Sequence, residues 1–157
     1  MHDIAAARDR GEKWPLLSVY YAMTASVFDE AGIPVLLVGD SMGNRRPGYD
    51  TTVPVTMDEV TLLSSAVVRG TKRAMAVGDL PFGSYQEGAV QALRSSTRLV
   101  KEAGVGAVKL EGGQRSLPQT ELLAESGIPV MATRPSCWSS RSANSSRAWA
   151  RIRRVRS

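Results

Sequence analysis

The sequence predicts an α/β domain on a parallel sheet. Three observations predict it. A unit of helical stretch, glycine, short apolar run and polar residue occurs four times. The apolar runs are only four or five residues long and rich in aliphatic side chains, as in strands buried on both faces. With 157 residues, 43% hydrophobic and 22% charged, the chain suffices for one core and does not read as disordered throughout.

Taken in order, 16–20 reads as a first strand. A helix over 21–31 then precedes Gly32, the strand 35–38 and Gly39-Asp40. The next unit is a helix over 56–69, then Gly70, 74–77 and Gly78-Asp79. The third is 87–103, then Gly104, 107–110 and Glu111. The fourth is 118–126, then Gly127 and 128–131. A glycine after a helix supplies a left-handed cap. Thr56-Met57-Asp58-Glu59 fits a capping box. Five strands alternating with four helices fit either an open doubly wound sheet or part of a (β/α)₈ barrel. A complete barrel takes about 250 residues, and this chain supplies roughly half.

No apolar run is long enough to span a membrane. Met1-His2-Asp3 does not open a secretory leader. One cysteine, Cys137, makes no internal disulfide, and one histidine, His2, leaves no Cys/His metal cluster and no histidine triad. A cytoplasmic protein is expected. The net charge of +5 comes from the end of the chain: residues 1–133 carry 13 basic and 15 acidic side chains, residues 134–157 seven arginines and no acid. The pI therefore says little about what the body binds.

The repeating pattern stops at about Ala132. Residues 132–157 read as an Arg/Ser-rich, disordered tail carrying two of the three tryptophans, after a partial barrel over 1–131. Arginines interleaved with Trp138 and Trp149 can neutralise phosphates and stack on bases. With no ordered scaffold to present them, nucleic acid is not expected as a partner.

Asp40, Asp79 and Glu111 each follow an apolar strand. In parallel α/β sheets, ligands bind beyond the carboxyl ends of the strands. An acidic residue there is often only a turn or helix cap, but three at the same place in successive units suggest one rim. Carboxylates brought together need a cation or raised pKa values. Oxygen donors without His or Cys favour a hard ion, Mg²⁺ before Zn²⁺. Lys109, two residues before Glu111, shares its strand face and is placed to hold an anionic substrate group. Ser41 is read as either a ligand contact or a turn former. Gly43 and Gly112-Gly113 either admit ligand against backbone or simply make turns.

Four blocks carry a family resemblance: Ile33-Pro34-Val35-Leu36-Leu37-Val38-Gly39-Asp40-Ser41-Met42-Gly43, then Gly48-Tyr49-Asp50-Thr51-Thr52-Val53-Pro54-Val55-Thr56, then Gly78-Asp79-Leu80-Pro81-Phe82-Gly83-Ser84-Tyr85, and Val108-Lys109-Leu110-Glu111-Gly112-Gly113. In this order they resemble ketopantoate hydroxymethyltransferase (3-methyl-2-oxobutanoate hydroxymethyltransferase), with the similarity running from about Lys13 to Met131. The resemblance implies the N-terminal half of a (β/α)₈ barrel of the phosphoenolpyruvate mutase and isocitrate lyase group, in a decamer-like homo-oligomer. It also implies transfer of a hydroxymethyl group from 5,10-methylenetetrahydrofolate to 3-methyl-2-oxobutanoate in pantothenate biosynthesis. It assigns Mg²⁺ to Asp40, Asp79 and Glu111, and the 2-oxo acid to Ser41, Asp40, Asp79 and Lys109.

Departures from the family pattern are Tyr21 in place of an Asp, Arg45-Arg46-Pro47 in place of apolar residues, and Gln114 in place of Glu. Thr133-Arg134-Pro135 stands where the family continues with His-Ile-Gly and three more strands, among them the glutamate base. No catalytic base is assigned here. The expectation is a truncated chain of impaired activity, with an out-of-frame reading from about Ala132, so that a neighbouring frame encodes the His-Ile-Gly segment. The alternatives are a metal-dependent carbon–carbon lyase or mutase acting on another 2-oxo acid, and a fragment without function.

Overall fold

Strand order separates the two architectures that the alternation leaves open. In a computed structural model, which describes residues 4–45, 48–133 and 151–153, the sheet runs β1 (Leu16–Ser18), β2 (Val35–Val38), β3 (Met75–Asp79), β4 (Ala107–Glu111), β5 (Val130–Thr133) and β6 (Arg151–Arg153). The first five are parallel, each paired with the next in sequence. A doubly wound sheet reverses its strand order at a switch point. This one never reverses, so it is the barrel type.

The helices are α1 (Ile4–Asp9), α2 (Ala22–Glu30), α3 (Met42–Arg45), α4 (Met57–Gly70), α5 (Ala89–Arg98) and α6 (Leu117–Glu125). Of these, α1 and the short α3 have no counterpart in the sequence pattern. One sheet face presents Leu36, Val38, Ala76, Val108, Leu110 and Val130 to a cluster containing Ala25, Val60, Leu63, Val67, Ala92, Leu99 and Leu123 from the helices. The opposite face carries a second cluster of Val35, Val77, Ala107 and Met131, into which Ile4 of α1 packs, flanked by Trp14, Leu16, Leu37 and Met75. Period-two alternation sorts the strand residues between these clusters. Each fully buried aliphatic side chain contributes about 1.5–3 kcal/mol.

Helix ends follow the local chemistry. Thr56 and Glu59 form the expected capping box: Glu59 N donates to Thr56 Oγ1 (3.2 Å) and Thr56 N to Glu59 Oε2 (2.7 Å). The third helical stretch divides into α5 and a π-helical turn, Leu99–Ala103, closed by Gly104 at φ 75°. Gly70 differs from the expected left-handed cap. It is the last residue of α4, and a Cβ there would collide with the backbone of Ala22, so this glycine lets α2 and α4 approach.

Two stretches of the segment from Ala132 lie among the described residues. Ala132 and Thr133 finish β5, and Arg151–Arg153 pair antiparallel to it. Met1-His2-Asp3, Arg46-Pro47 and the rest of the tail, with Cys137, Trp138 and Trp149, lie outside the described residues. Among the described residues, no helix is long and apolar enough to cross a membrane.

Asp29 ties α2 to the chain entering β3. Its buried carboxylate accepts backbone N–H bonds from Lys72 (3.1 Å), Arg73 (2.9 Å) and Ala74 (2.6 Å). Burial alone pushes its pKa up, but these donors and the Arg73 charge outweigh burial and hold it below the usual 3.8. A depressed folded-state pKa stabilises the fold above the unfolded value, and that contribution disappears as pH falls through the folded one. Asp29→Ala, which orphans three backbone donors, is expected to cost about 2–4 kcal/mol in urea unfolding at pH 7. The difference from wild type should shrink at pH 3.

Candidate functional site

The face of the sheet that α1 packs against changes character along the strands. At its amino end it is the apolar cluster just described. At its carboxyl end, Asp79 pairs in register with Lys109, and period two brings Glu111 to the same side. The Lys109 ammonium donates to Asp79 Oδ2 at 2.7 Å and to Glu111 Oε1 at 2.9 Å. The Asp79 and Lys109 side chains are only 6% and 11% exposed, and Glu111 24%. Such a cluster loses solvation and recovers it only when the charges meet in good geometry.

Burial pushes the Asp79 carboxyl up to about 7, against the pull of Lys109, and the charges of Asp40 and Glu111 push the same way as burial. Burial draws the Lys109 ammonium down, yet its two carboxylates hold it above the ordinary lysine range. Asp40 is half-buried and near enough to act on Asp79 through its charge. Among the described residues, no three of His, Cys, Asp and Glu form a ready-made cation cage. The expected gathering of Asp40, Asp79 and Glu111 therefore takes a different form, in which an ammonium stands between two of the carboxylates.

Ser41 is exposed, and its Oγ lies 2.8 Å from the hydroxyl of buried Tyr20. Gly39 is buried beside it. A Cβ on Gly39 would lie 3.4 Å from Ser41 Oγ, 3.7 Å from Asp79 Oδ2 and 3.8 Å from Leu37 Cδ2. The other glycines are structural. Gly43 packs where a Cβ would meet Val55 and Tyr49. Gly112 and Gly113, at φ 135° and 57°, form a turn closed by Ser116 Oγ donating to the Glu111 carbonyl at 2.6 Å.

Tyr20 and Tyr85 were not singled out by the sequence. Tyr20 lies just past β1, the position that flagged the carboxylates, so the same strand-end rule extended to polar aromatics finds it. Tyr85 is buried, and burial with the charges of Asp79 and Glu111 raises its phenol pKa, which places it beside the cluster. Its loop is pinned by Gln119 Nε2 on the Tyr85 carbonyl (3.2 Å) and Ser95 Oγ on the Ser84 carbonyl (2.7 Å). Of the departures from the family pattern, Tyr21 precedes α2 without capping it through its side chain, and Gln114 is exposed.

Comparison with known proteins decides the affiliation. Residues 1–133 match the family model described as ketopantoate hydroxymethyltransferase. The chain belongs to that family. The 3-methyl-2-oxobutanoate hydroxymethyltransferase of Streptomyces coelicolor is 77% identical over 132 residues, covering 84% of this chain and 45% of the relative. The protein of the same name from Thermobifida fusca is 60% identical over 131 residues, 83% of this chain and 47% of the relative. The chain thus spans about half the length of the curated relatives it matches.

Solved structures of like fold include oxaloacetate acetylhydrolase (TM-score 0.64, 12% identity, 86% of this chain and 53% of that one). They also include 2,3-dimethylmalate lyase, a PEP mutase/isocitrate lyase superfamily member (TM-score 0.59, 17% identity, 83% and 51%). A third is phosphonopyruvate hydrolase in complex with oxalate and Mg²⁺ (TM-score 0.62, 16% identity, 82% and 50%). These likenesses establish the fold, matching the half-barrel expectation.

Removing the ammonium tests the cluster. In Lys109→Met, Asp79 keeps its burial and like-charged neighbours and loses its counter-charge, so its pKa rises above about 7. A raised folded-state pKa is favourable at low pH and becomes a penalty as pH rises through it. The variant is expected to lose about 3 kcal/mol at pH 8 and clearly less at pH 5, read by urea unfolding.

Proposed function

We propose that the carboxyl end of this sheet is the 2-oxo acid and divalent-cation half of a 3-methyl-2-oxobutanoate hydroxymethyltransferase site. The reaction joins the methylene carbon of 5,10-methylenetetrahydrofolate to C3 of 3-methyl-2-oxobutanoate in place of the C3 proton, with water supplying the new hydroxyl and tetrahydrofolate leaving, to give 2-dehydropantoate for pantothenate biosynthesis. The observation that carries this reading is the buried Asp79–Lys109–Glu111 cluster with Asp40 beside it, in a chain 77% identical to a relative of that name. The same reading implies a cytoplasmic enzyme assembled from like subunits.

The residues suit Mg²⁺. Their donors are all oxygens, which favour a hard cation. Asp79 is a buried carboxylate whose pKa is raised partly by two neighbouring acids, so added positive charge is favourable there. Mg²⁺ commonly takes one or two carboxylates and keeps waters, so a three-carboxylate cage is not required. Asp40 and Asp79 would hold the ion, with Glu111 alongside. When bound, it polarises the keto and carboxylate oxygens of the substrate and acidifies the C3 proton.

The chain's own groups bind and orient. Lys109 offers positive charge to the substrate's anionic end, and Glu111 and Asp79 keep the ammonium protonated and fixed. Ser41 supplies a hydroxyl beside Gly39. No residue is assigned as the base that removes the C3 proton. A lyase or mutase acting on another 2-oxo acid would use the same groups, and only the fold likeness speaks for it.

Calorimetric titration of 3-methyl-2-oxobutanoate, with and without Mg²⁺, tests the reading. Binding is expected to require Mg²⁺ and to be lost in Asp79→Asn. Gly39→Ala should bind at least about tenfold more weakly with an unchanged unfolding midpoint, because the added methyl makes only ordinary contacts yet stands against Ser41 Oγ and Asp79 Oδ2. Binding indifferent to Mg²⁺, or a preference for oxaloacetate, would overturn the assignment.

A further inference from the structure

We propose that Tyr20 is a positioning residue that turns Ser41 into a hydrogen-bond donor, so that this end of the site selects an anionic, acceptor-only oxygen such as a carboxylate. The inference rests on Ser41 facing the 2-oxo acid as proposed above.

The geometry is specific. Tyr20 and Ser41 are 21 residues apart, on the segments leaving β1 and β2, and their hydroxyl oxygens are 2.8 Å apart. Tyr20 is 8% exposed, whereas Ser41 is exposed. Backbone pairing fixes the relation between the two segments, because Val19 N donates to the Leu37 carbonyl at 2.9 Å and so extends the β1–β2 ladder up to Tyr20.

Either oxygen in such a pair can donate. Two physical arguments set the direction. A phenolic O–H is the more acidic hydroxyl and the better donor, and its ring-conjugated oxygen is the poorer acceptor. A buried donor left without an acceptor also costs more than an exposed one, which water can serve. The pair therefore settles with Tyr20 donating and Ser41 accepting. Ser41 then has its own proton to give, and its Oγ lies beside Gly39, where an added Cβ would also touch Asp79 Oδ2.

A ligand group that only accepts, such as a carboxylate oxygen, completes the chain Tyr20 → Ser41 → ligand. An amide NH₂ in that place would face the hydroxyl's own proton, with one of its two lone pairs already taken by Tyr20. Acceptor selection complements Lys109: the ammonium provides charge, and the hydroxyl relay provides direction.

The test has two arms, both on the full 157-residue chain. In the first, 3-methyl-2-oxobutanoate and its amide are titrated with Mg²⁺ present against wild type, Tyr20→Phe, Ser41→Ala and the double variant. Tyr20→Phe is expected to weaken acid binding about fivefold to twentyfold and to narrow the preference for acid over amide. The double variant should be no weaker than Ser41→Ala alone, since Tyr20 acts through Ser41. Unchanged binding in Tyr20→Phe, or losses that multiply in the double variant, overturns the proposal.

The second arm needs no ligand. Neutron diffraction from deuterium-exchanged crystals of the chain locates the hydroxyl deuterons. A deuteron on the Tyr20 hydroxyl directed at Ser41 Oγ is expected. A deuteron on Ser41 Oγ directed at the Tyr20 oxygen overturns the proposal whatever the titrations show. If wild type binds no acid, the proposed function fails, and the deuteron positions still decide the role of Tyr20.

Discussion

The lysine ammonium held between two carboxylates on one sheet face is the constraint on which the rest depends. Lys109, Asp79 and Glu111 come from neighbouring strands and are largely removed from water. Moving any one of these charges alone into such a setting costs several kcal/mol, and mutual attraction repays that only in close, well-directed contact. The register of β3 against β4 is therefore fixed twice: by the apolar residues of the amino half, and by an ionic contact that a one-residue slip would send to opposite faces. The apolar cluster of Val77, Ala107 and Met131 floors the site, and the pinned loop around Tyr85 flanks it. This low-dielectric setting strengthens the attraction and raises Asp79.

A charged, partly satisfied surface of this kind is suited to a ligand that brings both signs. On the proposed reading, three carboxylates against one ammonium leave two negative charges, which a divalent cation held by Asp40 and Asp79 would offset. Lys109 would attract the anionic end of a 2-oxo acid. Gly39, the Ser41 hydroxyl and Asp79 lie close together, so charge and hydrogen-bonding groups converge at one end of the sheet. Ketopantoate hydroxymethyltransferase chemistry asks for such a convergence, because the keto and carboxylate oxygens must be gripped together while C3 stays accessible.

Most of the local structure was legible in the sequence because local patterns encode it. The capping box at Thr56 and Glu59, the glycine after Ala103 and the four helix-to-strand units all depend on neighbours within a few residues. The barrel type was not legible from the alternation, since strand order is a long-range property that both architectures leave open. Gly70 looked like a left-handed cap and instead makes room for Ala22, a contact across 48 residues of chain. The six-residue α1 was too short to show a period, although Ile4 seals the amino end of the inner face. The strand-end rule located Asp40, Asp79 and Glu111. Period two put Lys109 beside Glu111, but its bond to Asp79 depends on inter-strand register, and Tyr20 was passed over because the rule was applied to acids alone.

The central claim is that Asp40 and Asp79 share one divalent ion with a 2-oxo acid at the carboxyl end of the sheet. Anomalous scattering from crystals of the chain grown with Mn²⁺ and 3-methyl-2-oxobutanoate tests it most directly. The account predicts a single strong manganese peak against the Asp40 and Asp79 carboxylates, with the acid's oxygens completing its coordination. A peak elsewhere on the molecule, or the acid bound there with no metal beside it, would contradict the account.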